Sequence, residues 1–245
     1  LFPYTTLFRS LNDMNEKNGC SFIGMWAIIY RNKIAQIFLF TGIYLLSSYS
    51  YAQKNTLSKN EYGLQVVKDE NIYKQIIKMD SSHRMIPLNL LLQTAIINFY
   101  YATKNNFTKQ ILYKNPRAYL RLEAASALRK VQDSLHKIGL DIKIFDAYRP
   151  YSVTKKMWEI VPDERYAANP AKGSAHNRGA AVDLTLVSMK TGKELAMPTQ
   201  FDNFSDTAHH DFMQLSEEKI HNRSLLKRVM ERYGFIALST EWWHY

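Results

Sequence analysis

The sequence holds a single cysteine, Cys20, in 245 residues. An internal disulfide and a cysteine-rich zinc finger are therefore excluded, and any metal site has to be built from His, Asp or Glu. Glycine and proline are sparse, at nine and seven. That rules out a collagen repeat, and no Gly/Pro-rich linker or internal repeat divides the chain. Acidic residues are in deficit, 22 against 32 Lys and Arg, for a net charge of +10. Such a balance suits nucleic acid, an anionic membrane or an anionic cell wall as a partner. What is present is ordinary for a globular domain: 46% apolar and 22% charged residues, which excludes a disordered chain.

The first 52 residues read differently from the rest. Residues 1–10, LFPYTTLFRS, begin without Met and look like the in-frame translation of a sequencing adapter. Arg31 and Lys33 then precede an apolar stretch of 13 residues, 34–46, and Ser50 and Ala52 place small side chains at a cleavage site. This is a secretory signal pattern, and the stretch is short against the ~20 residues that span a bilayer. The expected organisation is residues 1–24 as adapter-derived or leader sequence, 25–52 as a signal peptide, and 53–245 as one domain without a stable membrane anchor after cleavage. The expected location is periplasmic or secreted. Removing the leader also removes Cys20, Arg9, Lys17, Arg31, Lys33, Asp13 and Glu16, which leaves 193 residues with a net charge of +8 and no cysteine. A chain of that length buries a full core.

Within the domain, residues 53–82 are polar with weak periodicity, and the apolar run 86–101 fits either a buried helix or strands. Residues 116–138 are predicted as a helix, with Asn115 as cap, Pro116 in the first turn, Gly139 beyond the end and Leu120, Ala124, Leu128, Val131 and Leu135 on one stripe. Alternation predicts strands over 141–148 and 180–187, the latter with Val182, Leu184 and Leu186 on one face and Asp183 and Thr185 on the other. A short helix is expected over 152–160, a longer one over 216–233 capped by Ser216, and a strand over 235–238. The resulting fold class is α+β, a single domain with a central, mostly antiparallel sheet flanked by helices.

Three segments carry chemistry: 145–150 (FDAYRP), 174–183 (SAHNRGAAVD) and 241–244 (EWWH). His176 precedes a strand, Asp183 lies inside it, and Gly179 permits a bend between them. A catalytic metal of the zinc type takes three protein ligands and keeps a position open, and His244 is the natural third. Glu241, three residues earlier, would then be the base. Residues three apart on a regular strand face opposite ways, so a bulge or turn has to bring Glu241 and His244 together beside the 180–187 strand. The plainer alternatives stand next to this reading. A lone loop His is often a surface or capping residue. A carboxylate in an apolar strand is costly unless it has a metal, an Arg or several donors, and Arg149 is a structural partner of that kind for Asp183. His209 and His210 read as solvent-facing, and Trp242 and Trp243 as core or pocket wall.

Ser-x-His-x-x-Gly-x-Ala-x-Asp over 174–183, followed by Glu-x-x-His over 241–244, resembles the zinc D-Ala-D-Ala peptidases. DAYRP at 146–150, HNRGAAVDLTL at 176–186, EWWH, and Tyr101-Ala102-Thr103 with Asn106-Phe107-Thr108 are similar to the D-alanyl-D-alanine dipeptidase family in particular, over residues 85–245. The resemblance implies the D-Ala-D-Ala peptidase/Hedgehog-like fold. It implies one Zn2+ per chain held by His176, Asp183 and His244. Glu241 becomes general base and then acid to the leaving amine, and Arg149 stabilises the oxyanion. Asp202 and Ser174 bind the amino end of the substrate. The implied partners are D-Ala-D-Ala or peptidoglycan-derived peptides, not nucleic acid, for which no module is present. Family members continue beyond Glu-x-x-His, so a C-terminal truncation after Tyr245 is expected. The rival functions are a D,D-carboxypeptidase acting on peptidoglycan stem peptides and a non-catalytic zinc-bearing binding module, which Glu241 disfavours.

Overall fold

Short strands and helices alternate along residues 57–245, which the computed structural model describes. The adapter and signal-peptide readings lie outside the described residues. Helix α1, Glu70–Met79, is followed by strand β1, Met85–Pro87, a one-turn helix α2, Leu88–Leu91, strand β2, Ile96–Ile97, and strand β3, Tyr119–Arg121. Helix α3, Leu122–His136, leads into strand β4, Leu140–Asp146, then helix α4, Tyr151–Ile160, strand β5, Asp183–Ser188, and helix α5, Glu217–Arg232. Strand β4 is central in one sheet, parallel to β2 and antiparallel to β5, while β1 and β3 form a separate antiparallel pair. The architecture is α+β, with mainly antiparallel pairing split between two small sheets. No helix among the described residues is long and apolar enough to cross a membrane.

The core forms where α3 lies on the sheet. Ala125, Leu128, Val131 and Leu135 of α3 are fully buried, as are Ile142 and Ile144 of β4, Leu184 and Leu186 of β5, and Leu226 and Met230 of α5. Apart from Ala125, each of these side chains stabilises the fold by roughly 1.5–3 kcal/mol relative to exposure. A polar latch ties the end of α3 to the start of β4. Asp141, 4% exposed, accepts from Gln132 Nε2 at 2.8 Å and lies 3.0 Å from His136 Nε2.

Two predicted elements are corrected. The helix expected over 116–138 starts only at Leu122, because residues 119–121 are extended and pair with residues 85–87. Leu120 is therefore buried in a strand, not on the helical stripe, and Asn115 does not cap. The strand expected over 235–238 is absent. The free edge of β5 is taken instead by residues 243–245, where Val182 and Leu184 donate to the carbonyls of Tyr245 and Trp243, and further along by Leu195, which donates to Leu186. Phe235 is buried while Ile236 is 83% exposed, an alternation that mimics a strand without a ladder partner. The weak periodicity of 53–82 conceals α1, whose Asp69 cap accepts from Ile72 N but which buries no residue. The run 86–101 resolves into strand, turn of helix and strand, then a 3-10 turn at residues 100–102. Helix α5 is capped by Ser216, as its sequence predicts.

Gly179 closes the loop that enters β5. Its φ of +64° is left-handed, and a Cβ there would meet Met85 Cε at 2.7 Å and the Arg121 backbone nitrogen at 3.2 Å. Gly192 has a similar φ of +68° in open space. Gly179→Ala is expected to lower unfolding stability by about 1–3 kcal/mol from backbone strain together with crowding. Gly192→Ala carries the strain alone and should lose less. Urea unfolding midpoints of the two variants check this ordering.

Candidate metal and catalytic centre

Asp183 lies between two neighbours across the sheet. On one side, a register shift in β4 between Ile144 and Asp146 sets Asp146 opposite Asp183. In an unshifted ladder Phe145 would hold that position, so the bulge brings a second carboxylate to the site. On the other side, His244 forms a bridge with Asp183. A turn in which His244 N donates to Glu241 O at 3.3 Å reverses the chain just before it. That turn supplies the change of face which the three-residue spacing requires, and Glu241 Oε2 lies 4.0 Å from His244 Nδ1.

His176 comes from a 3-10 turn, residues 176–178, locked by its neighbour. Asn177 Nδ2 donates to Arg149 O at 2.9 Å and to Thr154 Oγ1 at 2.8 Å, while Ser174 N donates to Asn177 Oδ1 and Ser174 Oγ accepts from Asn177 N. His176 Nδ1 donates to the carbonyl of Ala147 at 2.7 Å. A carbonyl only accepts, so Nδ1 carries a proton, and Nε2 is the ring atom that faces the site. That Nε2 is 3.3 Å from His244 Nδ1 and 3.4 Å from Asp183 Oδ2, and His244 Nδ1 is 2.9 Å from Asp183 Oδ1. Ligand atoms about 2.0–2.1 Å from a tetrahedral divalent ion lie roughly 3.3 Å apart. The donor set thus fits such an ion in type and in spacing, and these three residues form a candidate metal group among the described residues.

Burial opposes the charge on Asp183, but the His176 and His244 imidazoles hold its carboxyl well below the usual range, so it is ionised as a ligand must be. Burial pushes Glu241 up to about 7, against the pull of His244. A carboxyl near neutrality both accepts and returns a proton. Burial also opposes the charge of Arg149, yet the adjoining Asp146 keeps its guanidinium protonated. Arg149 Nε and Nη2 bond Asp146 Oδ2 at 2.9 and 2.8 Å, whereas Nη2 is 3.9 Å from Asp183 Oδ2. The principal partner of Arg149 is therefore Asp146, and the structural pairing with Asp183 weighed from the sequence is secondary.

Asp202 adopts a left-handed φ of 60°. Its Oδ1 accepts from Tyr101 OH at 2.9 Å, while Oδ2 is buried without a partner. Burial raises its carboxyl to about 8. The Tyr101 ring connects Asp202 to Arg149, whose guanidinium carbon stands 5.2 Å from the ring centroid. Behind it, Tyr100, Phe145, Phe201, Phe204 and Trp243 pack edge to face or tilted. Trp242 and Trp243 are both 1% exposed and belong to the core. His210 departs from its solvent-facing expectation. Both ring nitrogens are buried without a partner, and burial lowers the imidazole to about 4.

Sequence reasoning brought His176, Asp183, His244, Glu241 and Arg149 to one place, with Asp202 one tyrosine ring away and Ser174 at the entry to the His176 turn. It gave no role to Asp146, Tyr101, Tyr113 or Asn177. The signal for Asp146 was available, since a carboxylate ending an apolar strand poses the same problem as Asp183. Asn106 sets Tyr101 in place by closing its loop, donating to Thr103 O and Gln110 O and accepting from Thr108 N.

Two measurements probe the centre. A saturating divalent cation should raise the melting temperature by binding only the folded chain, and His244→Ala should abolish that rise in a thermal shift assay. Asp202→Asn should stabilise the protein most above pH 8, where the raised carboxyl of Asp202 is ionised at a cost to the fold. The advantage should shrink as the pH falls from about 8 toward the unfolded value of 3.8. Melting temperatures of both proteins across that range test the sign.

The family model described as D-ala-D-ala dipeptidase matches residues 81–245. A D-alanyl-D-alanine dipeptidase of Escherichia coli is 32% identical over 167 residues, covering 68% of this chain and 86% of the relative. Relatives of the same name from Enterococcus faecium and Streptomyces coelicolor are 33% and 30% identical, each over 59% of this chain and 82% of their own length. The family model spans two thirds of the chain, and the chain belongs to the D-Ala-D-Ala dipeptidase family.

Proposed function

We propose that this chain is a zinc metallopeptidase that hydrolyses D-alanyl-D-alanine to two D-alanines, with His176, Asp183 and His244 holding one zinc ion. Family membership and the names of the relatives support the activity. The observation that carries it is the partly buried Glu241 carboxyl, raised to about 7, beside a three-donor cluster. Zinc bound there supplies Lewis-acid polarisation of the scissile carbonyl and makes water more acidic. Glu241 takes the proton of the attacking water on its carboxylate and delivers it to the nitrogen of the departing D-alanine. The guanidinium of Arg149, fixed by Asp146, donates to the carbonyl oxygen as it gains negative charge.

The unpartnered Oδ2 of Asp202 suits the ammonium of a free dipeptide, whose binding gives the buried carboxylate its missing counter-charge. Ser174 keeps a hydroxyl hydrogen to donate at the same end. This arrangement favours a dipeptide over a longer stem peptide, whose corresponding nitrogen is an uncharged amide. The leader pattern in residues 25–52 and the +8 charge of residues 53–245 support a periplasmic or secreted enzyme working near an anionic envelope.

Glu241→Ala is expected to lose at least about a hundredfold in kcat on D-Ala-D-Ala with its zinc content unchanged. Wild-type protein should cleave the free dipeptide in preference to a pentapeptide ending in D-Ala-D-Ala. Equal rates of the wild type and Glu241→Ala would reject the mechanism, and pentapeptide preference would reassign the enzyme as a carboxypeptidase. D-alanine release and metal analysis on the same samples provide the readout.

A further inference from the structure

Tyr113 is a buried polar residue beside the centre to which the mechanism gives no role, and the equally buried Asp146 enters it only through its bonds to Arg149. Asp146 is completely buried, and each of its oxygens is committed. Oδ2 holds Arg149 through Nε and Nη2. Oδ1 accepts from Tyr113 OH at 2.8 Å and from the backbone N–H of Ala147 at 2.9 Å. Tyr113 is 8% exposed, and burial together with the charge of Asp146 keeps its hydroxyl protonated, hence a donor. Its ring is clamped edge-on by Phe99 at 5.5 Å and by Tyr101 at 6.0 Å. The carboxylate therefore cannot rotate without breaking a bond to a fixed aromatic ring.

The same stretch of chain at the end of β4 controls His176. The carbonyl of Ala147 holds His176 Nδ1, and Arg149 N donates to His176 O at 3.1 Å. The side chain of Asp146 thus aims the guanidinium, while the carbonyl of the next residue aims the imidazole. With Nε and Nη2 committed to Asp146 and the Tyr113 hydroxyl also interacting with the guanidinium, the hydrogens that point away from this pair are the ones left to reach a substrate. Both N–H groups converge on the one oxygen Oδ2, which therefore lies near the guanidinium plane and sets the direction of the remaining hydrogens.

We propose that Tyr113 and Asp146 are positioning residues: the Tyr113 hydroxyl orients the Asp146 carboxylate, which fixes the plane of the Arg149 guanidinium so that its free N–H groups meet the carbonyl oxygen only as charge develops there. This rests on the peptidase reading and on the role of Arg149 in it. Because the contact strengthens in the transition state, its loss falls on kcat and leaves KM nearly unchanged. A merely structural Tyr113 would instead lower stability or shift KM, and its effect would not depend on Arg149.

The test is a double-mutant cycle on D-Ala-D-Ala hydrolysis with Tyr113→Phe, Arg149→Ala and the pair, each loaded with zinc and checked for its melting temperature. Tyr113→Phe keeps the ring and its packing, so it should fold. It is expected to lower kcat about tenfold, the scale of one hydrogen bond to a charged group, with KM within about twofold. In the Arg149→Ala background, itself reduced about 100-fold or more, the Tyr113→Phe effect should disappear. Asp146→Asn, where it folds, should reproduce the kcat loss. Wild-type kcat in Tyr113→Phe, or the same fold loss with and without Arg149, overturns the proposal while leaving the peptidase reading intact. Absence of dipeptide hydrolysis by wild-type protein fails the peptidase reading itself.

Discussion

The site depends on one register. Asp183, the first residue of β5, is bridged to Asp146 across one edge and to His244 across the other. The bulge before Asp146 and the turn before His244 are both deviations from regular strands, and each re-aims a side chain that an ideal ladder would send elsewhere. Shift either pairing by one residue and a carboxylate or an imidazole exchanges places with Phe145 or Trp243. The register is held by the buried aliphatic residues of β4 and β5 against α3, so core packing and catalytic geometry are one constraint.

Burying so many charges in one place raises the question of what offsets them. Asp146, Asp183 and Arg149 are each less than 10% exposed. Unit charges about 4 Å apart interact by roughly 4 kcal/mol at an effective dielectric of 20, so an uncompensated member would unfold this region. Asp146 answers Arg149 with two bonds, leaving Asp183 to two imidazoles and the ion that they fit. Asp202 has no such answer on Oδ2 and carries its burial as a raised proton affinity. The protein holds an unfavourable group where a cationic end of a ligand would relieve it, a pattern expected of binding sites.

Several features were legible in the sequence because they depend on local rules. Ser216 caps α5 and Gly234 follows its end, the strand predicted over 141–148 forms over 140–146, and the motif residues announce the chemistry of the centre. Errors arose where a non-local partner decided. Residues 119–121 belong to a helical pattern but find a strand partner at 85–87, and 235–238 alternate like a strand but find none. His210 looked polar and exposed, yet tertiary packing encloses it beside Tyr245.

What the sequence by itself determined is the inventory: a cysteine-poor chain whose metal chemistry falls to His and Asp, a carboxylate three residues from a histidine, and an Asp inside an apolar strand that demands a partner. These follow from composition, spacing and the cost of buried charge. Only the tertiary structure decided who partners whom. Arg149 goes to Asp146 and only secondarily to Asp183, because the β4 bulge carries Asp146 to the inner face. Tyr101 and Tyr113, distant in sequence from β4, reach the centre because the 100–113 loop folds over the end of that strand. Such choices rest on hydrogen-bond geometry between segments dozens of residues apart, which no local pattern encodes.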